Sequence, residues 1–196
     1  MKKWALLFVA QFVFVGYASA QDHPTFEAFG GYSYVRVNPD NGFPTESYNG
    51  GSGSIAFNPI SWLGVVADFG GYHWSGSFDG ISSDFTDLSY LFGPKVAWRH
   101  GPITPFAQAL FGGTRLSGPN CEDDDARVRR QGGPECESVD STGFAMAIGG
   151  GLDWNATKHL GIRLVQAEYV LTDFAAFTNG HHLNNFRYSA GVVFRW

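Results

Sequence analysis

Bulky apolar residues alternate with small or charged residues along several segments of this chain, and this period of two constrains the fold more than any other feature. Over 186–196 the even positions hold Phe, Tyr, Ala, Val, Phe and Trp, while the odd positions hold Arg, Ser, Gly, Val and Arg. A similar alternation recurs over 87–98 and 144–154. Because residues two apart share one face of a β-strand, these segments are predicted to be strands with one bulky apolar face and one face of small, occasionally charged residues.

Eight candidate strand segments can be placed from Thr25 onward, and each is about 10–16 residues long. Strands of water-soluble proteins are usually about 5–6 residues long, whereas a strand that crosses a bilayer needs about 9–11. Very short connections at 58–61, 100–103 and 155–158 alternate with longer ones. This rhythm predicts an all-β fold, an eight-stranded antiparallel up-and-down transmembrane β-barrel with its apolar face outward. The strands are expected at 25–37, 48–57, 62–74, 84–99, 104–116, 142–154, 159–172 and 184–196.

The first twenty residues differ from the rest of the chain. Lys2 and Lys3 precede an apolar run over 4–15, and the small residues Ala18-Ser19-Ala20 follow it. This pattern predicts a secretory signal peptide at 1–20 and one barrel domain at 21–196. An uncleaved membrane anchor is the alternative, although the run is short of the roughly 20 residues that a spanning helix needs.

Charged residues recur on the small-residue face, which would line the lumen. In the seventh segment Arg163 and Glu168 have opposite parity, and a β-bulge near Leu164 and Val165 would bring both inward. Side chains fill the interior of an eight-stranded barrel, and buried charges are costly unless they are paired. We therefore expect a lumen closed by salt bridges, with a gated narrow ion path as the alternative. The expected lumen charges are Glu27, Asp68, Lys95, Arg99, Asp153, Arg163, Arg187 and Arg195, with Gln108 beside them.

Four tryptophans lie beside the short turns or at the end of the chain. They are Trp62, Trp98, Trp154 and Trp196, and they would form an aromatic girdle at one rim of the barrel. Trp62 falls on the inward parity of its segment, so it fits the girdle least well.

Two further groups of residues could carry chemistry. Cys121 and Cys136 flank a polar segment, and export to an oxidising compartment predicts a disulfide between them. His73 and Ser75, with Asp84 and Asp87 nearby, contain the residue types of a nucleophile, a base and an acid. These residues are not part of an extended catalytic motif. We therefore expect no catalytic residue, no metal site and no cofactor.

The end of the chain carries a specific motif, Ser189-x-Gly191-x-x-Phe194-x-Trp196. With the opening run from Glu27 to Tyr34, it resembles the OmpA/OmpX-like small outer-membrane β-barrel family. The resemblance implies insertion by the barrel assembly machinery, with Gly191, Phe194 and Trp196 as recognition residues. We expect the resemblance to extend to the barrel alone, without a peptidoglycan-binding domain.

These features predict a structural or surface-interaction barrel in the outer membrane of a Gram-negative-type bacterium. The expected partners are outer-membrane lipid and lipopolysaccharide, the barrel assembly machinery and periplasmic chaperones, and the barrel is expected to be a monomer. Asp and Glu number 18 against 13 Lys and Arg, which disfavours nucleic acid. The alternatives are a lipid A-modifying outer-membrane enzyme, a narrow ion pore and a secreted lipocalin-type carrier, which would hold its apolar residues inside.

Overall fold

The computed structural model describes residues 23–38, 46–78, 81–120, 137–173 and 183–196. Eight β-strands form a closed barrel in sequence order, each antiparallel to the next, and β8 pairs with β1. The predicted eight-stranded up-and-down barrel is confirmed. Within the described ranges, no helix is long and apolar enough to cross a membrane. The strands are β1 (Phe26–Asn38), β2 (Glu46–Ile60), β3 (Leu63–Phe78), β4 (Ile81–Ala97), β5 (Ile103–Asn120), β6 (Glu137–Asn155), β7 (Leu160–Asp173) and β8 (Leu183–Arg195).

Strands β3 to β6 extend further toward the long connections than the sequence pattern predicts. The alternation ends near 116 and resumes near 142, but β5 and β6 remain paired as far as Asn120 and Glu137. Gly, Pro, Ser and Asp dominate this stretch, and these residues have little intrinsic preference for strands. Each strand nevertheless continues to pair with its neighbour, so backbone hydrogen bonding overrides local propensity here.

The parity of each strand separates two environments. In β8, Phe186, Tyr188 and Phe194 are exposed on the outer wall, whereas Arg187 and Val193 are buried in the lumen. Small apolar side chains pack inside the barrel with Val66, Leu91 and Leu110, so the lumen also contains an apolar cluster. The barrel therefore has most of its bulky apolar surface outside and a mixed, close-packed interior.

A β-bulge interrupts β7. Arg163 is paired with Gly191 and Gln166 with Ser189, so Leu164 and Val165 together face a single residue of β8. Both bulged side chains are exposed on the outer wall, which turns the side chains of Arg163 and Glu168 to the lumen. The bulge that the parity conflict predicts is confirmed.

The short connections lie together at one end of the barrel, which we call the turn end. Gly101 adopts a φ of 80° there, a left-handed conformation that glycine reaches without a steric penalty. The long connections lie at the opposite, loop end. Residues 1–22 are outside the described residues, so the signal peptide stays a prediction.

Candidate functional site

Glu27 organises the charges at the turn end of the lumen. Its carboxylate accepts hydrogen bonds from Lys95 Nζ at 2.6 Å, Arg195 Nε at 3.2 Å and Arg99 Nη2 at 3.3 Å. These residues belong to β1, β4 and β8 or, for Arg99, to the β4–β5 connection. One acid therefore ties three cations together across the barrel.

Asp153 on β6 extends this cluster. It accepts hydrogen bonds from Arg163 Nε at 2.8 Å and from Arg195 Nη2 at 2.9 Å. Arg195 also donates from Nη1 to Asn155 Oδ1 at 2.6 Å. A Cβ atom on Gly161 would lie 2.2 Å from Arg195 Nη1, so this glycine leaves the space that the guanidinium occupies.

A second cluster lies nearer the middle of the barrel, around Glu168. This carboxylate accepts hydrogen bonds from Arg187 Nε at 2.7 Å, Gln166 Nε2 at 2.8 Å and Gln108 Nε2 at 2.9 Å. Arg187 also donates from Nη1 to Asp68 Oδ1 at 2.7 Å.

Arg163 joins the two clusters. It donates to Gln166 Oε1 at 2.6 Å in addition to its bonds with Asp153. Its guanidinium carbon lies 4.2 Å from the centre of the Phe29 ring and 4.4 Å from that of Phe106. Such cation–π contacts strengthen when they are shielded from water. The lumen is thus crossed by a continuous network of ions, amides and rings.

On the loop-end side of Arg187 the lumen remains narrow. A cavity of about 30 Å³ lies between Tyr72, Asp87, Asn185 and Arg187. That volume holds about one or two water molecules and no hydrated ion. Asp87 accepts a hydrogen bond from Thr114 at this level.

Seven of the eight expected lumen charges are buried inside the barrel, and one lies at its turn-end mouth. Arg99 lies at the turn-end mouth, where its side chain is 11% exposed. The other seven, Glu27, Asp68, Lys95, Asp153, Arg163, Arg187 and Arg195, are at most 5% exposed.

Sequence parity did not supply the whole site. Gln166 and Glu168 require the bulge before their parity becomes inward. Phe29 and Phe106 are bulky rings inside the lumen, where the pattern favours small residues. Phe29 lies two residues from Glu27 in β1, and Phe106 lies two residues from Gln108 in β5, so each ring shares the lumen face of its polar neighbour. This parity is the sequence signal that identifies the two rings.

The four expected girdle tryptophans are exposed at the turn end, and the end motif lies on β8 and the residue that follows it; their roles stay predictions. Trp62, Trp98, Trp154 and Trp196 are exposed at the turn end, and Trp62 escapes its strand parity because it lies in the β2–β3 turn. In the end motif Phe194 is exposed on the outer wall and Ser189 is buried in the lumen, while Gly191 lies on the inward parity of β8.

Among the described side chains, the possible catalytic residues are divided between the two faces of the barrel wall. His73 is exposed and its Nδ1 lies 3.5 Å from Thr86 Oγ1, whereas Asp87 belongs to the lumen face. The Ser75 backbone pairs with that of Asp84, and their side chains are outside the described part of the structure. Cys121 and Cys136 also lie outside the described residues, so their disulfide stays a prediction.

Several solved structures with the same fold are small bacterial outer-membrane barrels. The attachment invasion locus protein Ail of Yersinia pestis is 17% identical, with a TM-score of 0.61 over 89% of this chain and 99% of Ail. Neisserial surface protein A is 15% identical, with a TM-score of 0.61 over 88% of this chain and 97% of that one. OprG of Pseudomonas aeruginosa is 13% identical, with a TM-score of 0.52 over 91% of this chain and 99% of OprG.

No protein-family model and no curated protein sequence matches the chain. The structural likeness shows the fold of small outer-membrane β-barrel proteins, as the resemblance in the sequence predicts.

Proposed function

We propose that this protein is an outer-membrane β-barrel with a closed lumen, which stabilises the membrane and offers its long connections for surface contacts. It would reach the outer membrane of a Gram-negative-type bacterium after export directed by residues 1–20. The proposal rests above all on the continuous side-chain network across the lumen, because a conducting pore needs an open polar path instead. The network runs from Lys95 through Glu27, Arg195, Asp153, Arg163, Gln166, Glu168 and Arg187 to Asp68.

An ion that crossed this lumen would have to separate buried ion pairs. Removing one partner from such a pair costs about 3–5 kcal/mol, because the other charge is left buried and unpaired. The rings of Phe29 and Phe106 fill space beside Arg163, so the guanidinium has little room to move aside. We therefore expect the barrel to hold its lumen shut.

The outer wall supports the membrane location. Leu88, Phe92, Ile148 and Phe194 are each at least 50% exposed on that wall. An apolar band of this extent favours aggregation in water, whereas hydrocarbon accommodates it. Outer-membrane lipid and lipopolysaccharide are the matching surroundings.

Assembly depends on other residues in this proposal. Phe194 and Trp196 are exposed at the turn end of β8, where the barrel assembly machinery would recognise them together with Ser189 and Gly191. Periplasmic chaperones would hold the exported chain until then, and the folded barrel would act as a monomer.

Two measurements test the proposal. In planar bilayers we expect the wild-type barrel to give no stable nanosiemens steps, and we expect Arg163→Ala/Phe106→Ala to conduct measurably. Stable large steps from the wild type would contradict the closed lumen.

On gels the membrane fraction should contain a band that migrates differently before and after boiling. Recovery as a soluble periplasmic protein without that shift would contradict the membrane location.

A further inference from the structure

The turn end of the lumen opens into a pocket of about 350 Å³. Its polar lining combines three cations with hydroxyl and amide groups, and no acid lines it among the described residues. The lining includes Arg99, Thr104, Asn155, Thr157, Lys158 and Arg195. The pocket is larger than a water site and is lined by residues of the turn end.

Positive charge is in surplus around this pocket. The carboxylates of Glu27 and Asp153 are the two acids of the turn-end cluster among the described residues. Four cations contact them, namely Lys95, Arg99, Arg163 and Arg195. Lys158 at the rim adds a fifth cation and makes no ion pair with any described residue. Charge in a shielded site is costly until it is balanced, so the mouth favours an added anion.

The donors of Arg99 are incompletely used. Its Nη1 donates to the Ser61 carbonyl, and its Nη2 contacts Glu27 at 3.3 Å. Its Nε is buried and has no hydrogen-bond partner in the part of the chain that the structure describes. An unsatisfied buried donor costs free energy, and for a guanidinium an oxyanion is the matching acceptor.

We propose that the turn-end mouth binds a free multivalent oxyanion, of phosphate or carboxylate chemistry, between Arg99, Lys158 and Arg195. The proposed function places this mouth on the periplasmic side, so the anion would come from the periplasm. Arg99 and Lys158 supply the direct contacts. Arg195 contributes its charge, because its Nε, Nη1 and Nη2 donors already bond Glu27, Asn155 and Asp153.

A lipid headgroup has the same chemistry but a different route. Arg195 and Thr104 are buried on the lumen face, and the lipid-facing wall carries the tryptophan girdle instead. A headgroup anchored outside the wall would have to bend over the rim to reach them. The mouth is therefore assigned to a soluble anion.

The test uses the protein purified from membranes in a maltoside detergent, with inorganic pyrophosphate and citrate as probes in calorimetric titrations. We expect saturable binding of at least one probe, weakened by added salt. Lys158→Ala should weaken it about three-fold, as for an exposed charge. Arg99→Gln should weaken it about ten-fold or more, as for a charged hydrogen bond. Arg115→Gln, at the loop end, is the matched control and should bind as the wild type does.

Different results would overturn the anion site and its assignment to a soluble anion. Failure of both probes to bind saturably, or equal weakening in Arg115→Gln, would overturn the proposal. Competition by phosphatidylglycerol in nanodiscs would overturn the assignment to a soluble anion. Boiled and unboiled gel mobility verifies that each variant is folded, and Lys158→Ala changes only an exposed turn residue. Binding in detergent does not depend on conductance or on orientation, so it can fail or succeed independently of the proposed function.

Discussion

Val192 and Val193 are neighbours in β8, yet the first is 39% exposed on the outer wall and the second is fully buried in the lumen. Phe186 and Arg187 are divided in the same way, with the ring outside and the ion inside. In a water-soluble protein the ion would be outside. The comparison shows that strand parity, and not hydrophobicity alone, decides the environment of each side chain. The interior accepts charges because they are paired, and the outer wall accepts rings because its surroundings are apolar.

The largest expected loss of stability comes from breaking the ion pairs inside the lumen. Arg187→Met leaves Glu168 and Asp68 buried without their cation, and we expect it to lower the free energy of unfolding by about 3–5 kcal/mol. Urea titration of the barrel in lipid vesicles measures the change. Arg36→Met, an exposed position of β1, should stay within about 0.5 kcal/mol. Equal stability of the two variants would show that the lumen network does not hold the barrel together.

The next test places a charge on the outer wall. Ile148 lies midway along the outward face of β6, so Ile148→Arg should destabilise the barrel in vesicles by about 2–4 kcal/mol. The control is Thr86→Arg, at an exposed outward position near the loop end, where the cost should be about 0–1 kcal/mol. A negligible effect at Ile148 would mean that this wall does not face hydrocarbon.

A smaller effect is expected where the lumen has no spare room. A methyl group on Gly161 would occupy the position of Arg195 Nη1, so Gly161→Ala must displace that guanidinium. Losing its bond to Asn155 should cost on the order of 1 kcal/mol. Gly30→Ala, on an outward position with open space, is the control and should change stability less. The same urea titration reports both variants, and equal costs would indicate that Arg195 moves freely.

The smallest effect concerns the loop end, beyond the apolar band. The Ser117 hydroxyl and the Arg115 guanidinium hold the pKa of the exposed Asp140 carboxyl below its usual value. Ser117→Ala should raise that pKa, whereas Ser117→Thr keeps a hydroxyl and should not. A carboxyl pKa lowered by folding adds stability above its unfolded pKa, and this is lost as the pH falls through the folded pKa. NMR titration of the Asp140 carboxyl measures the shift, and an unchanged pKa in Ser117→Ala would remove the hydroxyl as its cause.

Sequence parity predicted the barrel because its outer wall repeats one rule over several strands. It predicted the bulge as well, since Arg163 and Glu168 could not otherwise both avoid lipid. It did not predict that Phe29 and Phe106 enclose Arg163, because that contact joins strands far apart in the chain. Nor could it pair Arg187 with Asp68, since registers across the lumen follow from barrel closure and not from local spacing.

The most direct test of the inside–outside assignment compares the two adjacent valines of β8 without any mutation. In nanodiscs with protonated acyl chains and methyl-labelled protein, we expect nuclear Overhauser contacts from lipid methylene protons to the Val192 methyl groups. The Val193 methyl groups, buried in the lumen, should show contacts to protein alone. Lipid contacts at Val193, or their absence at Val192, would contradict the account.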